Sequence, residues 1–247
     1  MRRLRYPLYA TLIGLGLWQA VIWITGAPHF ILPSPWRVAA TGFESRALIA
    51  EHAVVTGTEV ILGLLIGAFL GGLTAIQLAA SPKMASMMMP LLVFTQAVPV
   101  FALAPILTLW FGYGMASKIV MAVLIIYFPV TSSFYDGLMR VTPALLDLAK
   151  TMGASNAQIM VRIKIPHALP SLASGLKLAA VYAPIGAVIG EWVGSSQGLG
   201  YLMLLANGRA KIDLMFASLI ALAVFTVLLH RLISALADKM DSVSLDK

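Results

Sequence analysis

Four ionisable side chains, Glu59, Asp136, Lys177 and Glu191, fall within or at the ends of long apolar runs. Charged groups are costly in such surroundings and mark ion, proton or substrate paths by default. The residues needed for bond chemistry are missing around them. The chain has no cysteine, which excludes disulfides, thiol nucleophiles and cysteine-based metal sites. Its four histidines are far apart in sequence and suggest no metal site, and no H-E-x-x-H pattern occurs. Ser132-Ser133 and Ser195-Ser196 have no obvious histidine partner nearby, and there is no G-x-S-x-G elbow. No G-x-x-x-x-G-K-[ST] loop is present to cradle a nucleotide phosphate. The chain is therefore not read as an ATPase or a metalloenzyme, and no cofactor is expected.

The elements that position these groups are apolar helices. Of the 247 residues, 60% are hydrophobic and 11% charged, with a mean hydropathy of +0.92. A soluble domain carries roughly 45–50% apolar and about 25% charged residues, so this is an integral membrane protein. A helix needs about 20 apolar residues to cross the hydrocarbon. Such stretches lie near Pro7–Thr25, Val54–Ala80, Met88–Phe111, Ala116–Tyr135, Leu172–Val193 and Leu214–Leu236. The fold class expected is an all-α membrane protein of six transmembrane helices, one transmembrane domain over residues 1–247. The N-terminal run is read as a retained first span, because it is long and no A-x-A-like cleavage site follows.

Six spans place both termini on one side. Arg2, Arg3 and Arg5 assign that side to the cytoplasm. Twelve of the 17 lysines and arginines then lie inside, and five, Arg37, Arg46, Lys118, Arg209 and Lys211, lie outside. The net charge of +7 is thus explained by topology, and its scatter between apolar runs argues against a nucleic-acid partner. The long outer segment "GAPHFILPSPWRVAATGFESRALIAEH" has three prolines and Trp36, which suits a short helix at the membrane surface.

The longest cytoplasmic connection contains "DLAKTMGASNAQIMVRIKIPHALPSL", Asp147 to Leu172. Thr142-Pro143 reads as a helix start, with threonine as N-cap and proline at the first helical position. Leu145, Ala149 and Met152 give that helix an apolar face. Gly153 stops it in a left-handed conformation. Ser155, with Gln158 three residues on, forms a capping box for a second helix. Pro166 and Pro170 are expected to end the second helix. The product is a helix–turn–helix with positive charge and exposed apolar residues. An amphipathic element of this kind can rest on anionic lipid; its firm punctuation and place between two spans favour a rigid docking knob for a partner protein.

This segment resembles the "EAA" loop of bacterial ATP-binding-cassette importer permeases, whose pattern is E-A-A, three residues, G, nine residues, I-x-L-P. The matching positions here are Asp147-Leu148-Ala149, Gly153 and Ile163-Lys164-Ile165-Pro166. Asp147 stands for Glu, Leu148 for the first Ala and Ile165 for Leu. Four further blocks, "ILPSPWRV", "QAVPVFALAPILTLWFGYGMASKI", "FPVTSSFYDGL" and "EWVGSSQGLGYLM", look like the sulfonate, nitrate and taurine branch of these permeases. The resemblance covers nearly everything from Ile31 to Leu236, with the permease core at about 50–236.

The resemblance implies a coupling loop between spans four and five, with Asp147, Ala149, Gly153, Ala154, Ile163 and Pro166 at its matching positions. It implies a separate cytoplasmic ATPase subunit, an external solute-binding protein, a second copy of this chain, and a place in the bacterial inner membrane. The length of the chain and "LWQAVIWITGAPHFILPSP" lean towards permeases for thiamine pyrimidine precursors; sulfonates, taurine and nitrate are the alternatives. A channel or an intramembrane hydrolase are the rival classes. The docking knob argues against a channel, since passive conduction needs no motor interface.

Other residues are weighed beside these. Gly63, Gly67 and Gly71 repeat at G-x-x-x-G spacing and are read as packing within one chain. Pro99, Pro105 and Pro184 interrupt spans three and five, and Gln77, Gln96 and Tyr127 add polar groups at membrane depth. Together they suggest a translocation path built from spans three to five. Glu191 precedes the glycine-rich stretch "GSSQGLG", which cannot be regular helix throughout. Glu191, Gly198 and Gly200 are therefore expected at an outer gate lining an aqueous path, where irregular backbone is tolerated. Glu59 is given no role, and Lys177 is expected to snorkel to the cytoplasmic surface.

Overall fold

The computed structural model describes residues 5–245, and among these it is helical with no strand. Arg2, Arg3 and Lys247, which enter the charge count above, lie outside the described residues. The helices are α1 (Arg5–Thr25), α2 (Pro35–Glu44), α3 (Arg46–Ala80), α4 (Pro82–Ala97), α5 (Val100–Phe111) and α6 (Met115–Met139). They continue with α7 (Pro143–Thr151), α8 (Asn156–Ile159), a π turn (Met160–Lys164), α9 (Ile165–Gly194), α10 (Leu199–Gly208) and α11 (Ile212–Leu245).

Among the described residues, four helices are long and apolar enough to cross a membrane: Arg46–Ala80, Met115–Met139, Asn156–Gly194 and Ile212–Lys239. The expected third span is not one straight helix. Residues Pro82–Ala97 and Val100–Phe111 meet at an angle of 97°. Pro99 causes the break: its fixed φ and missing N–H fit the N-cap of α5 but not the interior of a continuous helix. The expected second span also begins earlier, at Arg46, and runs for 35 residues.

The centre of the bundle is α6, packed against α9 on one side and α3 on the other, with α11 closing over α9. Val60 and Leu64 of α3, Ile126 and Val130 of α6, and Ala179, Ala183 and Ala187 of α9 form its largest buried cluster. Small residues let these helices approach closely. A Cβ at Gly63 would sit 2.6 Å from that of Ala122, and one at Gly67 would sit 2.6 Å from Ile126 Cδ1. The G-x-x-x-G face of α3 is thus used against α6 of the same chain. In lipid, where apolar surface gains nothing by leaving the solvent, such close contact supplies the packing energy.

The prolines expected to end the second loop helix do not end it. Asn156–Gly194 is one continuous 39-residue helix. Its π turn carries a wide bond from Ile165 N–H to Met160 O just before Pro166. The wide turn absorbs the ladder bond that proline cannot donate, so the rod carries on. Lys177 sits well along this helix and is paired to Asp238 of α11 at 3.1 Å, rather than reaching a surface alone.

Candidate functional site

Two constellations stand at opposite ends of the Asn156–Gly194 rod. The first is the segment that joins α6 to α9. Thr142 occupies the N-cap of α7 and Pro143 its first position, although the threonine side chain makes no cap bond. The C-terminus of α7 is closed by two backbone bonds, Ala154 N–H to Ala149 O and Gly153 N–H to Lys150 O, both 2.9 Å. This is the Schellman pairing, and it requires a left-handed residue. Gly153 supplies it with φ +82°. The capping box follows: Gln158 N–H donates to Ser155 Oγ at 3.3 Å, and Ser155 N–H donates to Gln158 Oε1 at 2.8 Å.

Between these two punctuation marks lies a cleft lined by Ala149, Met152, Gly153, Ala154, Gln158, Arg162 and Ile163. Leu145, Leu148 and Met152 present apolar side chains to the outside of the segment. The structure thus brings Ala149, Gly153, Ala154 and Ile163 to one cleft. Asp147 stands outside that cleft and ion-pairs with Lys150 at 3.6 Å. Pro166 lies inside the rod behind it.

The second constellation is buried where α9 turns into α10. The turn is Ser195–Gly198, and Gly198 holds φ +105°. Helix α10 therefore starts inside the protein, with N–H groups that its own ladder cannot satisfy. Side chains from two other helices take them all. His52 Nδ1 accepts from Gly198 N–H at 3.0 Å, and Thr56 Oγ1 accepts from Leu199 N–H at 2.7 Å. Glu191 Oε2 accepts from Gly200 N–H at 2.5 Å and Tyr201 N–H at 3.4 Å. Thr56 in turn donates to Glu191 Oε1 at 2.6 Å. A carboxylate at a helix N-terminus is also favoured by the helix dipole.

The opposite end of the same turn receives a cation. Lys118 is only 1% exposed. Its ammonium donates to Gly194 O, the last carbonyl of α9, at 2.6 Å, to Gly114 O at 2.9 Å, and to Tyr113 O. All three ammonium donors are used. Glu59, 2% exposed, lies beside Glu191. Its Oε2 has no hydrogen-bond partner among the described residues.

Glu191 is thus not a surface charge that reaches water. It is 1% exposed and fully engaged. Lys118, counted above as an outer-loop charge, belongs to the interior. Glu59, given no role above, belongs to the same cluster. Three of these residues carried a signal in the sequence. His52, Thr56 and Glu59 stand at i, i+4 and i+7 and make one polar stripe on α3. Lys118 carried none.

The other path residues lie elsewhere. Gln96 is exposed near the end of α4, Pro99 opens α5, and Tyr127 Oη shares a 2.8 Å hydrogen bond with Thr74 Oγ1. Among the described residues no hydrogen bond joins these three to the Glu191 cluster. No group of three His, Cys, Asp or Glu among the described residues could hold a metal.

Comparison with known proteins places this architecture. Residues 61–242 match the family described as the binding-protein-dependent transport system inner membrane component. The chain is 50% identical over 228 residues to a protein of Haemophilus influenzae described as an ABC transporter permease, covering 92% of this chain and 93% of that one. It is 38% identical over 205 residues to the formylaminopyrimidine transport permease ThiX of Halalkalibacterium halodurans, covering 81% and 82% of the two chains. Among solved structures, a chain of the inward-facing MetNI methionine ABC transporter superposes with a TM-score of 0.61 at 18% identity, over 85% of this chain and 96% of that one. The fold is shared with that permease, and the relatives are transport components whose ATP hydrolysis lies on a separate subunit. The chain therefore belongs to the multi-pass inner-membrane permease family of binding-protein-dependent ABC transport systems.

Proposed function

We propose that the chain, as one transmembrane domain over residues 1–247, is the permease of an ATP-driven importer. Its six spans are α1, α3, the bent pair α4–α5, α6, the α9 rod and α11, with both termini and the α7–α8 segment in the cytoplasm. The observation that carries this reading is the doubly punctuated knob, Gly153 at φ +82° followed by the Ser155 capping box. It presents a fixed apolar surface where a partner ATPase would dock, with Asp147, Ala149, Gly153, Ala154, Ile163 and Pro166 as its coupling positions. Two copies of the chain would form the path, with two ATPases and one external binding protein. Gln96, Pro99, Tyr127, Glu191, Gly198 and Gly200 are assigned to the path and its outer gate.

The substrate proposed is a thiamine pyrimidine precursor of the hydroxymethylpyrimidine type. Support comes from the N-terminal blocks and from the likeness to a formylaminopyrimidine permease. Aliphatic sulfonate, taurine or nitrate is the second reading, favoured by the "ILPSPWRV" and "EWVGSSQGLGYLM" blocks. Reconstitution tests both. The chain, its ATPase and its binding protein are placed in proteoliposomes, and uptake of labelled hydroxymethylpyrimidine, taurine and nitrate is followed with and without ATP. ATP-dependent pyrimidine uptake is expected. Uptake of taurine or nitrate alone moves the substrate to the second reading, and uptake without ATP or ATPase overturns the importer.

A further inference from the structure

A second cleft lies beside the docking knob and shares no lining residue with the first. Its volume is about 550 Å³. One wall is the end of α3 and start of α4, Ala80 and Pro82; another is Leu146 and Met160; Lys150 and Lys164 stand at its rim. Asn156 also lines it, and no acidic residue does. Lys164 is half-buried and has no anionic partner among the described residues. Lys150 has only Asp147, 3.6 Å away, with both side chains mostly in solvent, and an exposed pair of that kind holds weakly.

We propose that this cleft binds the phosphate of an anionic phospholipid headgroup. The inference rests on the α7–α8 side being cytoplasmic. Charge and position both select this occupant. The cleft carries two lysines and no acid. Its wall is the terminus of a candidate span, Arg46–Ala80, so the cleft opens where hydrocarbon gives way to headgroups. Apolar walls beneath a basic rim match a lipid, whose glycerol and first methylenes lie directly below its phosphate. Basic pockets at the cytoplasmic ends of transmembrane helices recognise headgroups in this way. The cleft around Ala149 and Gly153 takes no residue from α3 or α4 and is left to the ATPase. The lipid would wedge between the α3–α4 corner and α8, fixing the knob relative to the membrane surface.

Native mass spectrometry of the assembled transporter, exchanged into mixed micelles of phosphatidylglycerol and phosphatidylcholine, tests the proposal. The intact transporter is expected to retain phosphatidylglycerol in preference. Each lysine near a phosphate is worth about fivefold in affinity, so Lys150→Gln with Lys164→Gln should reduce retention about 30-fold. Arg162→Gln, on the other cleft, should leave retention unchanged, and inorganic phosphate should not displace the lipid. Unchanged ATPase assembly and hydrolysis in the double variant show that it is folded; if assembly fails, Lys164→Gln alone, expected to lose about fivefold, decides. Equal retention of the two lipids, retention untouched by the substitutions, or displacement by inorganic phosphate would overturn the proposal. So would loss of ATPase binding with lipid retention intact, which would make the cleft a protein contact. Lipid retention does not depend on transport, so a failure of the importer reading is seen separately in the uptake assay.

Discussion

At Gly153 a single torsion angle decides whether the docking knob has a fixed shape. A β-branched side chain at φ +82° costs about 1–3 kcal/mol, and nothing stands within 4 Å of that position to compensate. Gly153→Val is expected to insert normally but to lose ATP-driven uptake, because the angle between α7 and α8 is no longer held. Normal uptake in vesicles would refute this. Glu191 makes a contrasting case. Glu191→Ala strands the N–H groups of Gly200 and Tyr201 in the interior, while the Thr56 hydroxyl can still donate to His52 O. Unpaired buried donors cost about 1–3 kcal/mol each, so a loss of about 3 kcal/mol is expected in detergent unfolding. Glu191→Gln should lose less, since its amide oxygen can still accept. If Glu191 merely faced water, neither substitution would move the unfolding midpoint.

Among the elements, the Ser195–Gly198 turn is where an outer gate would have to work. In this structure it is held at both ends, by Lys118 on the last α9 carbonyl and by His52, Thr56 and Glu191 on the α10 N–H groups. Movement would release these bonds together, as expected of an element with two discrete positions. Gly198 is buried, and a Cβ there would fall on the Glu191 carboxylate, so it is unsuited to a reporter. Ser196 is exposed. Cysteines at position 196 in a dimer should crosslink with yields that differ between nucleotide-free and ATP-trapped states. Equal yields would leave the turn as a static loop.

The same elements show what a sequence discloses. The Ser155 box and the Gly153 stop were legible because each depends on residues two or three positions apart. So was the break before α10, since Gly194, Gly198 and Gly200 interrupt any regular helix. The buried cluster was not legible as a unit. Its bonds join α3 to α10 across 143 and 146 positions, and nothing local announces such a contact. Glu59 and Lys118 therefore looked like stray charges. Proline was legible at one site and not at the other. Pro99 is expected to interrupt span three and does so, at 97°, while Pro166, expected to end a helix, is carried past by a π turn.

For the whole molecule, the orientation proposed from the charge distribution can be tested without background, because the chain has no cysteine. Single cysteines replacing Lys83 and Arg140 are expected to react only from the cytoplasmic side, and those replacing Arg37 and Arg209 only from outside. Labelling at 83 by an impermeant reagent applied outside would reverse the topology. The bent pair makes the test informative, since α4 and α5 lie between the labelled positions. If they turned back without crossing, 37 and 83 would still fall on opposite sides, but 140 and 83 would not share one.

The unbroken helix from Asn156 to Gly194 has a mechanical consequence. Its 39 residues amount to about 58 Å at 1.5 Å per residue. A rigid beam of that length, pivoted near the α7–α8 end, sweeps its far tip through about 10 Å for every 10° of tilt. The tip is Gly194, the carbonyl held by Lys118, and hydrogen bonds part after only a fraction of that travel. A small rotation on one face of the membrane would thus be magnified into a bond-breaking stroke on the other, less whatever bend the π turn and Pro184 absorb.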